Sequence, residues 1–214
     1  LHVLHLTTEK EIDLFEAKPT KDKNITTEAC IHHLVFTSDD YEEWGNFIKC
    51  NPSVKAPNNR EALRNALKNN QIDIIATDHA PHTRAEKSLP YPEAPAGIPL
   101  IQHSFQLMLK LANKDIFTIE EVIKFASHNT ADRFKIIDRG YVREGYFADL
   151  VVFETGIKHI VTNEEQKSKC GWTPFEGWEL SSKINSTIIN GNVLLENGVF
   201  HPERRSSARL VFNK

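Results

Sequence analysis

Cysteine is scarce in this sequence: Cys30, Cys50 and Cys170 are its only three among 214 residues, and no two form a Cys-x-x-Cys pair. An odd, widely spaced set excludes a disulfide framework and fits a reducing compartment, so a cytoplasmic location is expected. No apolar run approaches the roughly 18 residues that a membrane-spanning helix needs. Neither sign of charge dominates; the net charge of -3 gives no footing for a nucleic-acid or acidic-surface partner. Internal repeats and low-complexity segments are missing too. The chain does not open on Met, and Leu1-His2-Val3-Leu4-His5, followed by Glu9, Lys10 and Glu11, lacks the pattern of a secretory leader. A chain that enters at once on an apolar strand pattern is expected to be part of a longer protein. What is present, 40% hydrophobic and 26% charged residues, is enough for an ordinary globular core.

Leu1, Val3, Leu4 and Leu6 predict a buried strand over residues 1–6. Thr8 and Glu11 have the spacing of a capping box, which predicts a helix over 9–17. Beyond a polar turn around Pro19, residues 25–29 read as a second strand. The stretch 37–58, punctuated by Pro52 and Pro57, reads as mostly irregular. Ala62, Leu63, Ala66 and Leu67 set one apolar stripe on a helix over 59–69. Residues 72–76 then form a short strand apolar on both faces, as buried parallel strands are. A proline-rich loop covers 80–99, and helices are predicted over 100–112 and 119–134, the second capped by Thr118 with Glu121. This strand–helix alternation predicts an α/β fold with a parallel sheet. After Arg139 the texture changes. Strands over 149–153, 183–189 and 193–196, with the turn signals Asn190-Gly191 and Asn197-Gly198, predict a small β-rich tail. The chain thus divides into residues 1–140 and 141–214.

The stretch Ile74-Ile75-Ala76-Thr77-Asp78-His79-Ala80-Pro81-His82 carries the most chemistry. In parallel α/β barrels active sites gather at the C-terminal ends of the strands. A carboxylate placed there beside histidines suits a metal site in which it also takes a proton from water. The alternative reading makes Asp78 a helix cap and the histidines ordinary loop residues. For His2 and His5, alternation along a strand lets only one face a site. His5, nearer the strand's C-terminal end, is the better ligand candidate. His32 and His33 are adjacent and point apart, which favours a structural or supporting role. His103, His128, His159 and His201 are scattered and receive none.

Residues 76–82 resemble the signature of dihydroorotases of the long, bacterial type, members of the amidohydrolase superfamily. His2-Val3-Leu4-His5-Leu6-Thr7-Thr8 is similar to that family's sixth-strand segment. His32-His33-Leu34 is similar to its Pro-His-His-Leu, with Ile31 in place of proline, and Asn51-Pro52 to its Asn-Pro-Pro. Ala94-Pro95-Ala96-Gly97-Ile98-Pro99, Phe147-Ala148-Asp149-Leu150-Val151-Val152 and Trp172-Thr173-Pro174-Phe175-Glu176-Gly177 resemble further segments, all in the family's order. The resemblance implies the C-terminal part of a metal-dependent (β/α)8 TIM barrel, its strands 6 to 8 lying within residues 1–140. Residues 141–214 would form a β-rich sandwich tail.

The resemblance also implies roles. His5 would be a metal ligand. Asp78 would be both ligand and catalytic acid/base. Asn51, His82, Ala96 and Gly97 would hold the substrate. The reaction implied is the reversible interconversion of L-dihydroorotate and N-carbamoyl-L-aspartate in pyrimidine synthesis, with one or two Zn2+ ions as cofactor. The family's first-strand His-x-His pair, its carboxylated lysine or equivalent aspartate and its fifth-strand histidine have no counterpart and would lie N-terminal to Leu1. The missing N-terminal half of the barrel is therefore an expected partner, and this chain alone is expected to be inactive. Family enzymes are often dimers or tetramers, which makes a homo-oligomer a further expectation. An allantoinase, a dihydropyrimidinase or a non-catalytic homologue would share the same barrel.

Overall fold

The computed structural model describes residues 1–205 and 207–213. Three parallel strands, β1 (His2–Val3), β2 (Thr26–Cys30) and β3 (Ile74–Ala76), form one sheet in that order. The helices α1 (Glu9–Ile12), α2 (Ile31–Val35), α3 (Tyr41–Trp44) and α4 (Pro57–Lys68) fall between them. The alternation anticipated an α/β arrangement, and parallel pairing is what helical crossovers produce. β2 is central and buried along its whole length. α4 begins with Pro57 at its first turn, where a missing N–H costs nothing, and buries Leu63, Ala66 and Leu67. Its Arg64 reaches back to donate twice to the Leu34 carbonyl, fastening α4 to α2. Lys23 and Asp73 form a buried ion pair at 3.0 Å. Asp73 also accepts from the Thr27 backbone and the Thr20 hydroxyl, so both of its carboxylate oxygens are hydrogen-bonded, which offsets the cost of burying the charge.

After β3 come α5 (Arg84–Lys87), α6 (Ser104–Ala112), α7 (Ile119–Ile123) and α8 (Asn129–Phe134). An antiparallel sheet follows, of β4 (Leu150–Ile160), β5 (Glu179–Ile189), β6 (Asn192–Glu196) and β7 (Val199–Phe200). It packs on α6, where the Gln106 amide donates to the Ser182 carbonyl and Phe105 meets Phe153 edge to face. Both Asn-Gly turns have positive φ at each central residue, 49° and 78° at 190–191 and 49° and 83° at 197–198. That is the geometry tight hairpins require. Among the described residues no helix is long and apolar enough to cross a membrane.

Several boundaries differ from the sequence reading. The strand expected over 1–6 shrinks to two residues, because His5 adopts φ +56° and ends the extension; Leu1 and Leu4 are exposed. The helix expected over 9–17 stops at Ile12. Residues 37–58 are irregular only in their second part, over 49–56: turns of 3-10 helix at Ser38–Asp40 and Gly45–Ile48 flank α3, and Thr37 and Asp40 form a capping box. The helix expected over 119–134 is one continuous run carrying a π turn at Lys124–His128. The tail strands run further than their apolar stretches, through register shifts near Val152 and between Thr155 and His159.

Candidate metal and substrate site

Two residues without glycine's freedom sit in the left-handed region where the parallel strands end: His5, φ +56°, beyond β1, and Asp78, φ +48°, beyond β3. Such conformations concentrate at working sites because surrounding structure must hold them there. Here they turn two side chains toward each other, with His5 Nε2 3.5 Å from Asp78 Oδ1. Between β1 and β3 lies β2, whose Glu28 is 7% exposed, accepts a hydrogen bond from His2 and lies within ion-pair distance of His5. Its Oε1 is 2.9 Å from His5 Nδ1 and its Oε2 3.1 Å from His2 Nε2. His2 and His5 therefore converge, against the expectation from strand alternation, because His5 has left the strand. Cys30 Sγ also approaches His5 Nδ1, at 3.1 Å. Burial first, then the charges of Glu28 and Asp78, raise the pKa of the Cys30 thiol and keep it protonated.

These donors fit a metal ion. Ligand bonds of about 2.1 Å in tetrahedral array place two donor atoms about 3.4 Å apart, close to the separation of His5 Nε2 and Asp78 Oδ1. A carboxylate on the far nitrogen of a ligating histidine fixes the tautomer and leaves Nε2 free to coordinate; Glu28 holds that position. Two further groupings have donor atoms close enough for an ion, His5–Glu28–Cys30 and the buried Cys30–His32–His33. His32 and His33 lie in the first turn of α2 and are buried. Burial lowers the pKa of His32 well below the ordinary imidazole range and that of His33 to about 4, so both rings are neutral. His33 Nε2 donates to the Pro52 carbonyl.

The other candidates form a second group, joined to the first through the segment that follows Asp78. His82 Nε2 donates to the Ala96 carbonyl at 3.2 Å, and the indole of Trp172 donates to the His82 carbonyl. Gly97 lies so close that a Cβ there would stand 2.5 Å from the Ala80 carbonyl oxygen and 3.0 Å from the His82 ring. The Gly97 amide donates to the Lys49 carbonyl, which ties in the segment carrying Asn51. Asn51 is exposed and lines a cavity of about 380 Å³ with Tyr41, Lys49, Cys50 and Tyr91. The structure thus brings His5 to Asp78, and His82 to Ala96 and Gly97. Asn51 reaches the second set only through its backbone neighbours.

Sequence reasoning missed Glu28 and Lys87. A lone acidic residue inside the otherwise uncharged strand 26–30 was a readable signal for Glu28. Lys87 gave none, being one more charged residue in a stretch read as a proline-rich loop. It is nevertheless 0% exposed and donates to three backbone carbonyls, of Lys49, Pro95 and Gly97.

The sequence matches the amidohydrolase family over residues 2–194. It is 34% identical over 196 residues to a dihydroorotase from Clostridium acetobutylicum, covering 91% of this chain and 46% of that protein. A dihydroorotase from Halobacterium salinarum is 36% identical over 177 residues, 83% of this chain and 41% of that protein. The chain thus spans about half the length of the curated relatives it matches. Its fold is similar to that of L-hydantoinase (dihydropyrimidinase) from Arthrobacter aurescens, with a TM-score of 0.86 and 24% identity over 94% of this chain and 46% of that one. Dihydroorotase from Saccharomyces cerevisiae, solved with 5-fluoroorotic acid, gives a TM-score of 0.70 and 20% identity over 86% of this chain and 50% of that one. With the family's pattern matched along nearly its whole length, the chain belongs to the amidohydrolase family.

Proposed function

We propose that this chain is the C-terminal part of a dihydroorotase that opens the cyclic amide of L-dihydroorotate to N-carbamoyl-L-aspartate, and the reverse. The 3.5 Å approach of His5 Nε2 to Asp78 Oδ1, with Glu28 behind the histidine, carries the reading. The identity to dihydroorotases favours this substrate over those of the hydantoinases, which are similar in fold. In this reading residues 1–140 supply three strands and their helices to a (β/α)8 barrel and residues 141–214 a β-rich tail. The N-terminal half supplies the remaining strands and metal ligands. Zinc is the proposed ion, since imidazole and carboxylate donors with an open position suit it. The cytoplasm, where the three free cysteines stay reduced, is the proposed compartment.

When bound, the ion supplies Lewis acidity and a water acidic enough to ionise near neutral pH. The chain's own residues do the rest. Glu28 fixes the His5 ring so that Nε2 presents a lone pair. Asp78, half-buried at the strand end and beside that nitrogen, accepts a proton of the attacking water and returns it to the departing ring nitrogen, and the new carboxylic acid of the product then ionises. His82 and Asn51 hold the substrate. The Ala96–Gly97 backbone can approach the ring closely because Gly97 has no side chain.

The test is hydrolysis by the full-length protein with zinc, comparing dihydroorotate with allantoin, hydantoin and dihydrouracil. Dihydroorotate should have the highest kcat/KM, and Asp78→Asn should lower kcat at least about 100-fold with the fold unchanged by circular dichroism. Preference for hydantoin or dihydrouracil would reassign the enzyme to the hydantoinases. No turnover of any of them would identify a non-catalytic member.

A further inference from the structure

Four residues proposed to hold the substrate, Asn51, His82, Ala96 and Gly97, stand on three separate segments, none of them a strand. Something must fix these segments relative to one another to within a fraction of an ångström for binding to be productive. One side chain touches or extends from all three. Lys87 closes α5, a short helix that begins two residues after His82 and is opened by the capping box of Thr83 and Glu86. Its ammonium has three N–H donors, and all three are used: on the Lys49 carbonyl at 3.0 Å, the Pro95 carbonyl at 2.9 Å and the Gly97 carbonyl at 2.8 Å. Lys49 lies two residues before Asn51, and Pro95 and Gly97 flank Ala96. The Lys49 carbonyl also accepts the Gly97 amide, so the two loops share one oxygen.

The energetics say that this arrangement is not incidental. Lys23, the other lysine buried among the described residues, has the Asp73 carboxylate at 3.0 Å. Lys87 is 0% exposed, and among the described residues no carboxylate forms an ion pair with it. A buried ammonium held by carbonyl dipoles alone bears an uncompensated desolvation cost. A methionine or leucine would fill the same space without that cost, but would leave three carbonyls unbonded and the loops unlinked.

We propose that Lys87 is a positioning residue, its buried ammonium clamping the Asn51 segment and the Ala96–Gly97 loop to the helix that follows His82, so that it sets substrate binding more than the chemical step. The proposal rests on the dihydroorotase reading only for the substrate used to observe it. Burial lowers the Lys87 pKa to about 8, within reach of experiment. The groups facing it are Cys50, whose thiol burial pushes up to about 12, and Lys49, whose own ammonium bonds outward to the Tyr91 and Ala94 carbonyls. The Cys50 thiol therefore stays protonated between pH 7 and 9.5. A neutral amine turns a lone pair toward one carbonyl, and the clamp loosens.

The experiment uses the full-length protein with zinc, as wild type, Lys87→Arg and Lys87→Met. KM and kcat for dihydroorotate are measured from pH 7 to 9.5, with amide exchange of residues 93–98 corrected for intrinsic rate. In the wild type KM should rise about five-fold as pH passes 8, with kcat changing less than two-fold, and protection of 93–98 should fall in the same range. Lys87→Arg, which stays charged, should lack both changes. Lys87→Met should show high KM and low protection at every pH. An alkaline rise that persists unchanged in Lys87→Arg, or protection that does not depend on pH in the wild type, would overturn the clamp even if Lys87→Met fails to fold. Absence of dihydroorotate turnover in the wild type would count against the substrate alone, and the exchange data would still decide the clamp.

Discussion

At the scale of single residues, the left-handed backbone at His5 and Asp78 does what no choice of side chain could do alone. An extended His5 would have carried its ring to the opposite face from its neighbour. At φ +56° it turns instead toward Glu28, with Asp78 on its other nitrogen. In the proposed site Glu28 would fix the tautomer of His5 from its other nitrogen. Glu28→Gln keeps the size and one acceptor oxygen but loses the charge that strengthens His5 as a donor. It should weaken metal affinity of the full-length protein about 10- to 100-fold, measured by competition with a chelator. An unchanged affinity would mean that His5 is not a ligand or that its tautomer is fixed by another group. His5 and Asp78 were readable from motif position; Glu28 entered only when three strands were laid side by side.

At the scale of elements, local chemistry was the most legible layer. Capping boxes at Thr8 and Thr118 and both Asn-Gly turns form where the sequence placed them. These depend on hydrogen bonds between near neighbours, which spacing alone specifies. Element lengths were less legible, because termination depends on what packs nearby: α1 ends after one turn and the tail strands run on through shifted register. The loop 94–99 shows how tightly elements are fitted. Its Ile98 bridges to His79 in parallel register, and Gly97 fits against Ala80 only without a Cβ. Gly97→Ala meets the Ala80 carbonyl oxygen at 2.5 Å and its Cβ at 2.8 Å, at φ +138°. The loop must move, at a cost of about 2 kcal/mol in stability together with a raised KM. Thermal unfolding and kinetics check both parts. A variant as stable as the wild type would show that the loop has room to shift.

At the scale of the whole molecule, β2 and α2 bury two neutral imidazoles in the centre of the fold. Burial holds His33 at about 4 and His32 well below the ordinary value, against about 6.5 in an unfolded chain. Between those limits the unfolded state binds more protons than the native state, so stability is full above about pH 6.5 and declines as pH falls toward 4. His33 alone accounts for about 2 kcal/mol of loss at pH 5, and His32 acts in the same direction. Urea unfolding at pH 7.5 and pH 5 measures it. Equal midpoints would mean that these rings carry protons in the fold.

The sequence by itself determined the alternation of strands with the longer helices, the change of texture after Arg139, and the residue types at the ends of β1 and β3, while the short helices α2, α3 and α5 went unread. Those features are written in hydrophobic period, turn residues and motif spacing, all local along the chain. Only the tertiary structure decided that His2 and His5 meet on one carboxylate, that His32 and His33 are sealed from water, and that Lys87 joins loops separated by up to 48 residues. Burial and long-range hydrogen bonding depend on which segments the fold lays against one another, and a charged residue on a short helix reads the same whether its ammonium ends in solvent or among three carbonyls.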